Sequence, residues 1–272
     1  FERSPELGGA YPIGHPSNPN QDNTMDGSLS TINKTAGACI GFVSSLKKFV
    51  WSLHFEGDAR SSIATSLLTA SMDHGHAILA LVEHSNGALG ASAKALARVQ
   101  FEALVKAIYL SDSTLVSDKG VADFRRTGRL PKIVPPVPSG ATEAKDISKV
   151  KRREPTISEI TNAANIILGR MKENLERTSV SPGFPIGTLH SYVHSGNDLL
   201  DVYGVGTSSI GYKPHPSELN DLLLHAVMNS AAAVAFLIGN YHPGVPPEQP
   251  PEVDLWFRKL QQVFGPAPDP AA

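Results

Sequence analysis

The sequence predicts an all-α fold, an antiparallel multi-helix bundle. Apolar residues recur at three- and four-residue spacing through most of the chain, and no stretch alternates as a half-buried strand would. The polar breaks between the first periodic segments are short, which sets neighbouring helices antiparallel.

Residues 1–27, rich in Pro, Gly and Asn and without apolar periodicity, read as a disordered tail or extension. Met25 sits just before the first regular pattern and reads as the native start. Cys39, Phe42, Val43, Leu46, Phe49, Val50 and Leu53 then mark a long helix over 28–56. Asp58 is a candidate N-cap for a second helix, carried by Ile63, Leu67, Leu68, Met72, Ile78, Leu81 and Val82 and ending near Asn86-Gly87. Leu89, Ala93, Leu96, Val99, Leu104 and Ile108 mark a third. The proline-rich connector 128–140 cannot be helical. Beyond it, Thr156 and Glu159 have capping-box spacing at the head of a further helix. A long helix spans about 216–241, with Pro216 or Ser217 at its start, and a short terminal helix follows. On that last helix Leu255, Trp256, Leu260 and Phe264 form a face for packing on the bundle or on a partner. Together these elements read as one domain over 28–265, with a frayed end at 266–272.

The bulk composition excludes several classes. The 272 residues are 41% hydrophobic and 18% charged, enough for a sizeable core. A net charge of −2 gives no global attraction to nucleic acid or membrane. The one cysteine, Cys39, has no internal disulfide partner; it reads as a small buried apolar residue in a cytoplasmic protein. No basic-then-apolar leader opens the sequence, which argues against secretion. Leu222–Gly239 is the most apolar stretch, but His225, Asn229 and Ser230 interrupt it, so it reads as a buried helix and not a membrane span. The charge is uneven: residues 119–153 hold ten Lys/Arg against three acids, a net +7, leaving −9 elsewhere. That segment is either a solvated loop or a landing strip for an anionic partner such as RNA or DNA.

Two short segments carry candidate chemistry. In ARVQFEALVKAIYL, Arg98 and Glu102 stand at i, i+4 and share a helix face beside apolar residues. Arg before Glu is the weaker orientation for an intrahelical pair, which leaves the Arg98 fork for a partner on another helix. The alternative is a structural ion pair fixing helix register. In LHSYVHSG, His190 and His194 share a face in the first turns of their helix, where the macrodipole favours neutral rings able to act as base or ligand. The spacing matches that of a zinc-binding HExxH helix without its Glu, and no third ligand is identifiable, so no metal is expected. Tyr192 and Ser195 add hydroxyls beside the rings. A further cluster, Asp73, His76, Glu83 and His84, reads as solvated helix surface before it reads as a metal site.

SMDHGHAILALVE, GASAKALARVQFEALVKAIYL and LHSYVHSG, followed by an Ala-rich helix, resemble a bacterial family of unknown function. Its pattern is a helix ending in an aspartate and histidines, an R-x-x-FE-like helix, and an L-x-SY-x-H-x-G turn-helix. The resemblance covers roughly residues 60–243 and extends more distantly to all-α HEPN-like proteins of toxin–antitoxin and abortive-infection loci. It implies a metal-independent, cofactor-free ribonuclease working as a homodimer, with a cognate antitoxin or second protein as a further partner. In that role His190 or His194 would take the 2′-hydroxyl proton, and Arg98, with Glu102 beside it, would stabilise phosphorane charge. Arg125, Arg126 and Arg129 would guide the RNA backbone. The chain departs from the HEPN hallmark of an Arg four to six residues before the His, since the nearest Arg upstream of His190 is Arg177.

Three functions therefore stand at this point. One is an RNA-directed, ribonuclease-like effector of a defence system. Another is a non-enzymatic helical assembly module in which the Arg/Glu/His cluster is structural. The third is a small-ligand or nucleotide sensor using the same pocket.

Overall fold

The computed structural model describes residues 19–53, 57–131, 153–170, 215–241 and 250–264. Of these, 85% are helical, in seven helices with no strand among them, so the all-α bundle is the observed fold. The helices are α1 (Pro19–Ser52), α2 (Ala59–His84), α3 (Gly90–Ser111), α4 (Asp118–Thr127), α5 (Ile157–Arg170), α6 (Pro216–Tyr241) and α7 (Pro251–Phe264).

α1 starts earlier than its apolar pattern does. Pro19 suits the first helical position, and once the turns from Ile32 onward are packed, extending a helix upstream costs little. Residues 19–27 are therefore helix and not tail, with Met25 inside α1. Ile32, Ala36, Cys39, Phe42, Val43, Leu46, Phe49 and Val50 give α1 its buried face.

α2 begins where Asp58 accepts a hydrogen bond from the Ser61 amide at 2.9 Å, the expected cap. It ends in a Schellman arrangement: the Gly87 amide donates to Val82 O at 2.9 Å and the Asn86 amide to Glu83 O. That requires left-handed backbone, and Asn86 (φ 51°) and Gly87 (φ 79°) supply it.

α4 was not foreseen, because only Val121 of its ten residues is buried and no apolar period forms. Its ends are nonetheless marked: Ser117 Oγ accepts from the Gly120 amide, and Gly128 terminates the helix at φ 70°. At the head of α5 the capping box forms on both sides, Thr156 N to Glu159 Oε2 at 2.7 Å and Glu159 N to Thr156 Oγ1 at 3.3 Å.

Contacts fix the directions. Lys47 pairs with Asp73 and Asn33 with Asn86, so α1 and α2 are antiparallel. Ser71 bonds Gln100 and Arg60 bonds Leu110, so α2 and α3 are antiparallel too. Lys94 meets Glu218 while Gln100 meets Ser230, so α3 and α6 run parallel. The antiparallel expectation thus holds for the two hairpins, and α6, parallel to α3, runs antiparallel to the central α2. α2 lies at the centre, packed on α1, α3 and α6. α7 lies on α1, with the Trp256 ring against Gly41 and Phe257 beside Phe42. Its buried residues are Val253 and Leu260, with Trp256 and Phe264 packed against the core, and Leu255 is exposed.

Candidate functional site

Arg98 and Glu102 do meet, but within their own helix. Arg98 Nε donates to Glu102 Oε1 at 2.7 Å, and Lys106 Nζ reaches Glu102 Oε2 at 2.9 Å. Both carboxylate oxygens are therefore engaged by cations one turn away on either side. The three side chains retain 19, 24 and 31% of their exposure in chain order, which places the row at the rim of the core. Burial opposes the Glu102 charge, but hydrogen bonds from Lys106 and Arg98 outweigh it and hold the carboxyl below its ordinary value. The intrahelical pair therefore forms through Nε although Arg before Glu is the weaker orientation. Lys106, absent from the sequence reading, changes the outcome by neutralising the second oxygen.

His190, Tyr192, His194 and Ser195 lie outside the described residues. Arg125, Arg126 and Arg129 are exposed on α4 and just beyond it. Arg126 pairs with Asp123 at 3.0 Å, and both Arg125 and Arg126 occupy the last turn, where the helix dipole favours cations. α4 is fastened to the far end of α3 by Arg60, whose guanidinium donates to Leu110 O at 2.7 Å and to Asp118 Oδ1 at 2.6 Å. Leu110 stands twelve residues beyond Arg98, about 18 Å along the helix axis.

The cluster on α2 is only partly solvated. Asp73 pairs with Lys47 of α1 at 2.5 Å, and Glu83 Oε1 lies against Gly37 of the same helix. His84 is exposed, and its Nε2 stands 3.8 Å from Glu83. Burial, helped by the Lys47 charge, pushes His76 below its ordinary pKa. No group of three or more His, Cys, Asp or Glu side chains among the described residues is placed to hold a metal ion. An open apolar groove of about 360 Å³ runs nearby, lined by Ala77, Ala80, Leu81, His84, Ser85 and Leu89.

The polar group that organises the interior is Gln100. It is fully buried; its Nε2 donates to Ala226 O at 2.9 Å and to Ser230 Oγ at 3.3 Å, and its backbone carbonyl accepts from Ser71 Oγ at 3.0 Å. Gln100 therefore ties α3 to both α2 and α6. Lys94, two turns earlier, is also buried and reaches Glu218 at 2.5 Å. The register Ala93, Ala97, Gln100, Leu104 would have revealed this face, since each position is three or four residues from the last. α6 is long and apolar enough to cross a membrane, and 61% of that span is buried within the bundle.

Comparison with known protein families, curated proteins and solved structures returned no match.

Proposed function

We propose that this chain is a non-enzymatic helical interaction module in which the Arg98–Glu102 pair is structural. The observation that carries this reading is the clasp on α3, where Arg98 and Lys106 occupy both oxygens of Glu102. The two ion pairs satisfy the Glu102 carboxylate and hold the guanidinium against α3, as a structural pair at the rim of a core does. Exposed apolar side chains on the outer helices, among them Met228 at 57% and Leu255 at 54%, fit a protein that meets a partner or a second copy. The test is incubation of purified protein with RNA in the presence of a chelator, beside a concentration series by mass-resolved light scattering. No cleavage, with mass rising on concentration, supports assembly. Chelator-resistant cleavage abolished by His194→Ala would reverse the reading.

One observation favours the ribonuclease-like effector as a second reading. Lys119, Arg125 and Arg129 are exposed and have no ion-pair partner among the described residues. A surface of that kind attracts a phosphate backbone in a salt-dependent way. The diagnostic is anisotropy of labelled RNA at 50 and 200 mM salt. Binding that weakens steeply with salt and is lost in Arg125→Glu/Arg129→Glu protein supports an RNA partner. Binding indifferent to both removes this reading.

A further inference from the structure

We draw no further inference here: the strongest candidate, the exposed apolar face of α6 around Leu224 and Met228, is an unpartnered helix surface, and nothing in the structure shows what covers it.

Discussion

Gly75 of α2 and Ser230 of α6 meet at the centre of the bundle, where a Cβ on Gly75 would stand 2.5 Å from Ser230 Oγ. The same Cβ would lie 2.6 Å from Gln100 Nε2 and 3.2 Å from the backbone carbonyl of Ala226. Three helices thus converge on a position that has room for hydrogen alone.

Gly75→Ala is therefore expected to destabilise the fold by about 1–3 kcal/mol, as overpacking does in close-packed cores. Gly169→Ala on α5 is the control, since a Cβ there meets nothing within 4 Å among the described residues. It should stabilise by about 0.5–1 kcal/mol through helix propensity. Urea melts of the two variants should move in opposite directions; equal shifts would contradict the packing described for Gly75.

The Glu102 clasp predicts an acid-sensitive contribution to stability. Its folded-state pKa is held below the ordinary value, so in that range the unfolded chain binds more protons. The contribution is complete above the ordinary glutamate pKa and is lost as pH falls through the lowered folded value. Glu102→Gln should flatten the acid limb of a stability-versus-pH curve below the ordinary glutamate pKa of about 4.3. Arg98→Ala should cost about 1–2 kcal/mol at pH 7, between the values for exposed and buried pairs. An unchanged acid limb in Glu102→Gln would show that the pair carries no linkage.

Arg60 is 9% exposed and spans two acceptors on different elements, Leu110 O and Asp118 Oδ1. Removing it leaves a carbonyl without its donor and releases α4, so Arg60→Ala should cost about 2–3 kcal/mol. Arg60→Lys should recover little, because one ammonium cannot reproduce the planar fork. Asp118→Asn should cost far less, since its side chain is 93% exposed. Thermal melts of the three variants would check that order.

Cys39 is fully buried, and burial pushes its thiol up to about 12. At pH 8 almost no thiolate is present, and the reagent has no path to it. A maleimide or aromatic disulfide probe should label the folded protein only at the rate of unfolding, and should label it fully in denaturant. Rapid labelling of the native protein would place α1 differently.

Where local chemistry fixed an element, the sequence displayed it. Asp58, Asn86-Gly87 and the Thr156/Glu159 box each act through atoms within a few residues, and each forms as read. Burial was harder to read, because neighbours distant in sequence decide it. Val99 was counted among the apolar markers of α3 and is 41% exposed, whereas adjacent Gln100 is fully buried. The face is displaced because Gln100 Nε2 finds acceptors on α6, which offset part of the cost of burying it. α4 turns only Val121 and Phe124 to the core, too few to form an apolar stripe legible in the sequence. In the candidate site, the i, i+4 relation of Arg98 and Glu102 was legible. The engagement of the second oxygen by Lys106 required looking one turn further. The histidine motif lies outside the described residues.

The parallel run of α3 and α6 has a consequence for biosynthesis. The chain between them, residues 112–215, must leave the ribosome before α6 can close the bundle. At ordinary translation speeds of about 5–20 residues per second, that delay is on the order of ten seconds. During it the trough formed by α1, α2 and α3 stands open, with Gln100 and Gly75 at its floor awaiting their partner. Nascent chains should therefore recruit chaperones over this interval, and a ribosome stalled short of α6 should hold an incomplete, aggregation-prone barrel of three helices.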